Sequence, residues 1–356
     1  MRERIRMENK KILTVGIAAY NASTTLTHTL KSLLLSEILN KIEVIIVNDG
    51  STDDTQKIAE KYVLKYPHTV RLINKKNGGH GSVINKLIQT ANTPYLKLVD
   101  ADDTVEKKGF VSLINCLENC QADVVLSPFY LANLKNNKKI EKGYLINNKK
   151  NFEDNKICVF KDYYKKLDPA LHSITYKTEL LRKSDFKVDE HCFYEDTEYA
   201  LYYFLYAKSI LMLDKPVYCY WIGNDGQSVN IENRLNRRNQ ALNIVLNMIS
   251  FYENNKENMD RYKKIFYMNH ISALIGFSYE LLMALPSEKI AKSESKKFDT
   301  KVRKISPEIY QYFGNGDMGG RKIAKIIKLF RITNWNGYFI VYKALNSSMV
   351  NRIKMV

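Results

Sequence analysis

Apolar runs alternate with amphipathic stretches over the first hundred residues of the chain. Four short runs rich in Val, Ile and Leu predict strands, at residues 12–18, 42–47, 70–73 and 95–99. Stretches with the apolar spacing of helices lie between them, near residues 24–35, 54–65 and 82–91. This alternation predicts an α/β fold with a mostly parallel sheet and helices on its faces. Ligands of such sheets bind at the carboxyl ends of the strands.

The pattern changes further along the chain. Residues 131–156 are polar and rich in Lys and Asn, which predicts a long surface connection or a hairpin. From about residue 230 onward the pattern is helical and no strands return. A chain of 356 residues exceeds the size of most single cores. We therefore expect an α/β domain over residues 1–230 and a helical module over residues 231–356.

Charge and cysteine content narrow the class of protein. The chain carries 55 Lys and Arg against 38 Asp and Glu, a formal charge of +17, which favours partners that bear phosphate. No nucleic-acid-binding motif accompanies this charge, so we expect no nucleic-acid partner. The five cysteines lack CxxC spacing, so neither a disulfide framework nor a zinc site is predicted.

Two segments bear on the membrane. The apolar run near the N-terminus is too short for a signal peptide. Residues 265–285 form an apolar segment that is long enough to span a bilayer, but they include Asn269, His270 and Glu280. We expect a buried helix of a soluble protein there, and a cytoplasmic location for the chain.

Two acidic clusters follow predicted strands. Asp49 comes directly after the second strand, in the run VNDGSTDD, and Asp100, Asp102 and Asp103 come directly after the fourth, in the run VDADD. Each cluster has a simpler interpretation as a strand-to-helix turn with an N-cap. Three carboxylates within four residues nevertheless repel one another unless a cation joins them. Mg²⁺ or Mn²⁺ is the expected ion, because both accept oxygen ligands and phosphates.

Two further segments carry candidate chemistry. The glycines of NGGHGSVINK, residues 77–86, precede a predicted helix whose first amides could face phosphate. Their spacing is not GxGxxG, which disfavours a dinucleotide-dependent dehydrogenase. His80 is either a diphosphate contact or an ordinary polar loop residue. In HCFYEDTEY, Glu195 and Asp196 open an amphipathic helix, where they either favour the helix dipole or supply a general base.

These segments, taken in order after VGIAAYN near the N-terminus, resemble the family 2 glycosyltransferases over about residues 11–230. The resemblance implies a GT-A fold, with a nucleotide-sugar half over about residues 11–130 and an acceptor half over about residues 131–230. It implies an inverting transfer of a hexosyl or N-acetylhexosaminyl group from a nucleotide diphosphate sugar, expected to be a UDP-sugar, with Mn²⁺ or Mg²⁺. The acceptor would be a hydroxyl of a glycan or of a lipid-linked molecule in bacterial surface-polymer synthesis.

The resemblance also implies roles by position. Asp196 would be the general base, with Glu195 as the reserve candidate. Asp102 would bind the metal directly, Asp100 would face the ribose or a water on the metal, and Asp103 would support the loop. Contacts to the nucleotide-sugar would come from Ala18, Ala19, Tyr20, Asp49, Asn77, Gly78, Asn85, Asp100 and Asp102.

One position departs from the family's pattern. Many members carry an Arg immediately before the Asn of the third segment, whereas here Ile84 precedes Asn85. The diphosphate would then rely on Lys86, His80 or a later residue. The run WIGNDGQSVN, residues 221–230, resembles the family's late active-site loop, which can close over donor and acceptor. The candidate contacts to the diphosphate or the acceptor are His80, Lys86, Asp103, Gln227 and Ser228.

Residues 321–331 predict a basic amphipathic helix. Its apolar stripe would consist of Ile323, Ile326, Ile327 and Phe330. The stripe packs in the core of the helical module, packs at a homo-oligomer interface, or docks on an anionic membrane. In the last case Trp335, Tyr338 and Phe339 would sit at the lipid interface.

Two other functions compete with sugar transfer. A metal-dependent nucleotidyltransferase also uses paired carboxylates, but a basic Gly-rich loop would be expected near its N-terminus, and VGIAAYN lacks one. A non-enzymatic basic binding protein is suggested by the charge alone. Retention on heparin without nucleotide-sugar binding would favour that second alternative.

Overall fold

The computed structural model describes residues 11–143, 156–223, 231–315, 322–340 and 342. The chain forms two compact units that divide between residues 223 and 224. The first unit is an α/β domain and the described part of the second is helical.

The larger sheet of the first unit has eight strands. They are β1 (Leu13–Ala19), β2 (Ile42–Asn48), β3 (Val70–Asn74), β4 (Tyr95–Asp100), β6 (Val124–Leu126), β9 (Ile157–Val159), β10 (Ile174–Lys177) and β11 (Ser209–Met212). Their order is β3-β2-β1-β4-β10-β6-β11-β9. The first four strands are parallel and agree with the predicted runs to within a residue or two. β10 is antiparallel to both of its neighbours, so the sheet is mixed beyond β4.

Helices connect these strands, and the three at Leu26–Leu33, Thr55–Lys65 and His80–Thr90 are those that the apolar spacing predicted. The helices are α1 (Leu26–Leu33), α2 (Thr55–Lys65), α3 (His80–Thr90), α4 (Lys107–Leu117), α5 (Phe160–Tyr163), α6 (Thr178–Lys183) and α7 (Asp196–Tyr202). All seven residues of β2 are buried, because helices cover both faces of a parallel sheet. Burial on both faces explains why five of its seven residues are Val or Ile.

A smaller four-stranded sheet lies beside the acidic loop. Its strands are β5 (Thr104–Val105), β7 (Phe129–Asn133), β8 (Lys139–Lys142) and β12 (Tyr218–Ile222), in the order β5-β12-β7-β8. The antiparallel pair β7–β8 confirms the predicted hairpin over its described part. β12 pairs with β5, which follows the acidic loop directly, so the end of the domain returns to that loop.

The second unit is helical, as the sequence predicted. Its helices are α8 (Ile231–Asn236), α9 (Arg238–Asn255), α10 (Arg261–Met283), α11 (Glu288–Ile305), α12 (Pro307–Asn315) and α13 (Lys322–Ile332). α10 contains most of the apolar segment 265–285 and is largely buried in this unit. Within the described ranges, no helix has the length and apolar character needed to cross a bilayer.

The C-terminal helix α13 packs in the core of its unit. Ile323, Ile327 and Phe330 are at most 3% exposed, so the core-packed interpretation of this stripe is confirmed. Trp335 and Tyr338 are also buried, so the prediction that they sit at a lipid interface is wrong. The ring of Trp335 stacks on Phe330 and the ring of Tyr338 packs against Phe330 at a tilt, so both rings bury their apolar surface within the protein.

Candidate active site

The carboxyl ends of β1, β2 and β4 bring the first group of predicted residues to one edge of the sheet. β1 lies between β2 and β4, and the register pairs Ala18 with Asp100. Ala19 ends β1 beside the end of β2, which Asp49 follows. Tyr20 comes next and is 54% exposed, so its ring is open to a ligand. The parallel register therefore explains why segments distant in sequence share this edge.

Asp49 fixes the glycine loop that precedes α3. Its buried carboxylate accepts hydrogen bonds from the amides of Gly78 (3.0 Å) and Gly79 (2.9 Å), and Lys75 Nζ lies 2.5 Å from Oδ1. Its backbone carbonyl accepts a bond from Asn77 Nδ2 at 2.9 Å. The predicted contact of Asp49 with the base or ribose stays a prediction. Lys75, a cation at the loop, was not predicted.

The N-terminus of α3 packs closely against the segment before α7. Gly79 has φ = +82°, which favours glycine, and the Gly78 carbonyl accepts a bond from the amide of His191 at 2.8 Å. A Cβ at Gly81 would lie 1.9 Å from the carbonyl oxygen of Asp189. The glycines therefore permit a close approach that joins the two halves of the candidate site.

His80 links two carboxylates from distant parts of the chain. Its Nδ1 lies 2.7 Å from Glu195 Oε1 and its Nε2 lies 3.1 Å from Asp100 Oδ1. Burial disfavours the charged ring, but the hydrogen bonds with Asp100 and Glu195 prevail and raise the pKa of His80 well above its ordinary value. His80 is therefore a positively charged bridge, a role that neither interpretation of the sequence included.

The acidic loop after β4 is braced by β12. Asp103 is fully buried and accepts hydrogen bonds from the Tyr218 hydroxyl (2.6 Å) and the Trp221 amide (2.8 Å). Burial, followed by repulsion from Asp100 and Asp102, raises the pKa of Asp103 well above its ordinary value. Asp102 itself is exposed, and loss of hydration together with repulsion from Asp100 raises its pKa to about 6. A cation would relieve this repulsion.

Glu195 and Asp196 differ in their surroundings. Glu195 is 4% exposed, and its Oε2 is buried without a hydrogen-bond partner among the described residues. Asp196 is the first residue of α7 and is exposed. Loss of hydration and then the charge of Glu195 raise the pKa of Asp196 to about 6. Asp196 is therefore the better placed of the two to meet an incoming acceptor.

An aromatic group beside the acidic loop was not predicted. The ring of His172 packs on Tyr220 at 4.5 Å and on Phe129 at 5.1 Å, and it meets Tyr218 edge-on at 5.0 Å. The pKa of the Tyr220 phenol is raised by burial and then by the charges of Asp103, Asp100, Asp102 and Asp196. Tyr220 thus lies within reach of all four charges. The only signals in the sequence were the runs LHSITYK and YCYW.

Several predicted contacts find less support in the geometry. The Asn85 side chain bonds to Val188 and Glu190, so it joins α3 to a neighbouring segment. Ile84 is fully buried and Lys86 is half-buried. No diphosphate contact follows from these positions. Gln227 and Ser228 lie outside the described residues.

The donor set fits a divalent cation. Asp100 and Asp103 lie in one loop, and Asp102 between them is exposed. Oxygen donors of this kind, together with substrate phosphate, suit Mg²⁺ and Mn²⁺. The raised pKa values of Asp102 and Asp103 show carboxylates held where a positive charge would favour their ionised form. The residues present therefore fit the ion that the acidic pattern predicted.

The fold defines the class of protein. Residues 1–349 of S. aureus TarS, in its crystal structure, share the architecture with a TM-score of 0.50 and 18% identity, over 86% of this chain and 92% of that one. At this identity the likeness shows the fold alone. It confirms the expected GT-A type of α/β domain with a helical C-terminal part.

The family follows from the sequence. Residues 14–187 match the model of glycosyl transferase family 2. This part of the chain therefore belongs to that family, as the resemblance predicted.

Two relatives from Bacillus subtilis (strain 168) show how much of the chain is shared. The chain is 29% identical over 220 residues to the uncharacterized glycosyltransferase EpsJ, covering 59% of this chain and 60% of EpsJ. It is 24% identical over 295 residues to the minor teichoic acid biosynthesis protein GgaB, covering 80% of this chain and 31% of GgaB. The chain thus spans less than two thirds of the length of either relative.

Proposed function

We propose that this protein transfers a sugar from a nucleotide diphosphate sugar, expected to be a UDP-sugar, to a hydroxyl group with inversion at the anomeric carbon. The observation that carries the proposal is that the charges of four acids, Asp100, Asp102, Asp103 and Asp196, all act on the Tyr220 phenol. A carboxylate with a raised pKa, Asp196, shares one site with an acidic loop suited to a cation. A single displacement requires a general base for the acceptor hydroxyl and an electrophilic group that offsets the charge of the leaving group.

In the proposed reaction the acceptor oxygen attacks the anomeric carbon while Asp196 takes the hydroxyl proton. The bond from that carbon to the diphosphate oxygen breaks, and the nucleotide diphosphate leaves with the electron pair. A divalent cation held by the acidic loop would offset the charge of the leaving group. The exposed Asp102 and the edge residue Asp100 are the proposed ligands, and Tyr20 and Ala18 would lie near the base.

Binding of nucleotide and metal tests this function directly. We expect UDP with Mn²⁺ to raise the melting temperature of the first unit by roughly 5–10 °C at a hundredfold excess over Kd, which corresponds to about 2.7 kcal/mol. Asp102→Asn should lose the metal-dependent part of this shift, because it removes a charged oxygen ligand. The measurement is differential scanning fluorimetry with Mn²⁺, UDP, both and neither.

Asp54→Asn is the matched control, because Asp54 is an exposed carboxylate in the turn after β2 and has only a surface ion pair to Lys57. This variant should keep the full shift. A wild-type protein that ignores all nucleoside diphosphates with Mn²⁺ would contradict the proposed function. Release of pyrophosphate from a nucleoside triphosphate would instead favour the nucleotidyltransferase alternative.

The acceptor is proposed to be a growing surface glycan or a lipid-linked molecule. The name of GgaB refers to teichoic acid biosynthesis, which supports a surface polymer. The positive charge supports a nearby anionic surface, because residues 224–356 carry 22 Lys and Arg against 11 Asp and Glu, a net +11 of the +17. A cytoplasmic enzyme at the inner face of the membrane would meet such acceptors.

An exposed apolar patch in the second unit gives this idea a testable surface. Leu329, Ile332, Phe339 and Ile340 are 50% to 74% exposed, and Lys325 and Lys328 are exposed nearby on α13. Apolar side chains flanked by Lys suit an anionic bilayer, where each cation contributes about 1 kcal/mol. We propose this patch, in place of the buried stripe, as the membrane contact.

Substitution of the patch should weaken membrane binding without unfolding the protein. We expect wild-type protein to sediment with liposomes that contain phosphatidylserine at low salt, and Ile332→Glu/Ile340→Glu to lose this binding. Leu64→Glu is the control, since Leu64 on α2 is 81% exposed but lies in the other unit. Equal binding of all three proteins, or none by the wild type, would contradict the membrane contact. Deleting residues 321–356 is a poorer test, because it removes buried side chains.

A further inference from the structure

His172 lies beside the acidic loop with a buried nitrogen that nothing satisfies. The residue belongs to the short 3₁₀ turn Leu171–Ser173 before β10. Its Nδ1 is buried and has no hydrogen-bond partner in the part of the chain that the structure describes. Yet one donor atom from each of Asp100, Asp103 and His172 lies within 4.8 Å of the other two. Buried polar atoms without a partner are rare and point to an ion or water.

A buried lysine fixes the turn that carries this ring. Lys97 of β4 is fully buried, and its Nζ donates to the carbonyl oxygens of His172 (2.9 Å) and Ile174 (3.2 Å). Burial lowers the pKa of Lys97 to about 7. Burying an ammonium group costs free energy unless the group is hydrogen-bonded. Here both hydrogen bonds of the ammonium hold the backbone at the turn and at the start of β10. The turn is therefore held in a defined place relative to β4 and its acidic end.

Aromatic packing orients the imidazole of His172 without using its nitrogens. The ring packs on Phe129 and Tyr220 and meets Tyr218 edge-on. These contacts hold the plane of the ring in place. A neutral imidazole can bind a metal through the lone pair on one of its nitrogens.

We propose that His172 is a direct ligand of the divalent cation, together with Asp100 and Asp103, and that it makes the site prefer Mn²⁺ to Mg²⁺. Imidazole suits transition metals, whereas Mg²⁺ favours a shell of oxygen atoms. Asp102, proposed above as a ligand, is exposed and is not one of these three donors, so it would reach the ion from the loop between Asp100 and Asp103. This inference rests on the proposed function, since it concerns the same cation. The competing interpretation is that His172 only fills space between aromatic rings.

Electron spin-echo spectroscopy of bound Mn²⁺ separates the two interpretations. The probe is MnCl₂, with and without UDP, on the full chain. We expect ¹⁴N modulation from a directly bound nitrogen in the wild type and its loss in His172→Phe, which keeps an aromatic ring for packing. Mn²⁺ affinity should fall at least about tenfold, since even groups that only support metal ligands contribute 10–100-fold. Mg²⁺ affinity should change less, so the preference for Mn²⁺ narrows.

His80→Gln and His28→Gln are the controls, since His80 also contacts Asp100 and His28 is exposed on α1. Both should keep the nitrogen signal. Bound Mn²⁺ without ¹⁴N modulation in the wild type would overturn the assignment of His172 while leaving the proposed function intact. A signal that survives His172→Phe and disappears in His80→Gln would overturn it in favour of His80. If His172→Phe does not fold, the wild-type spectrum and His80→Gln decide.

Discussion

Asp196→Asn should lower kcat by about 10²-fold or more while leaving the affinity for UDP and Mn²⁺ unchanged. The factor is the one typical of removing a general base. Asp196 is exposed at the start of α7, and its charge acts on the Tyr220 phenol together with the charges of the acidic loop. The amide of Asn has nearly the same shape but cannot take the acceptor's proton. Steady-state rates with calorimetric titration of UDP and Mn²⁺ measure both quantities.

The pH dependence supplies a sharper form of this test. A base must be unprotonated, and the pKa of Asp196 is raised to about 6, so the rate should fall as pH drops through about 6. Glu195 is one cause of that elevation. Glu195→Gln should therefore move the midpoint to lower pH and keep most of the rate at neutral pH. If Glu195→Gln is the inactive variant and Asp196→Asn is not, the two roles are reversed.

Asp49→Asn should destabilise the first unit by about 3 kcal/mol, which lowers its melting temperature by roughly 6–12 °C. The Asp49 carboxylate is 2% exposed and faces only donors, which are Lys75 and the amides of Gly78 and Gly79. An Asn amide would turn its NH₂ group toward one of these donors and leave the Lys75 ammonium without a carboxylate partner, although its hydrogen bonds to Ser82 and Lys76 would remain. Thermal denaturation of the protein without ligand measures the effect.

Asp54→Asn again serves as the comparison, because it removes a carboxylate five residues away that is exposed and paired only with Lys57. We expect its melting temperature to change by no more than about 2 °C. Equal melting temperatures for Asp49→Asn and wild type would show that the carboxylate is free for a ligand and not committed to the glycine loop.

The parallel strands of this domain could be predicted from local sequence patterns. Strands buried on both faces are mostly apolar, so the sequence predicted β1, β2 and β4, and the residues at their carboxyl ends could be assigned to one edge. The pairing of Asp100 with Ala18 follows from the same parallel order. The functional interpretation then depended on acidic clusters placed where ligands bind.

The hydrogen-bond partners of the site residues could not be predicted from local sequence patterns. His80 and Glu195 are separated by 115 positions, as are Tyr218 and Asp103, and no periodicity encodes such pairs. The aromatic packing of His172 depends on the turn before β10 lying against β7 and β12 of the smaller sheet. For α13, the same 3.6-residue stripe fits a core or a membrane, and the burial of Ile323, Ile327 and Phe330 in the folded protein decided between them.

The brace between Asp103 and β12 has a consequence for how the enzyme is made. The family match ends at residue 187, yet Tyr218 and Trp221 hold Asp103, and Glu195 holds His80. A ribosome that has released only the family-matched segment has produced the sheet edge without the groups that fix its acids. Contacts this distant in sequence form late in folding. The nascent chain therefore acquires its charge-dense site only after β12 has emerged, so the domain passes most of its synthesis without a finished site.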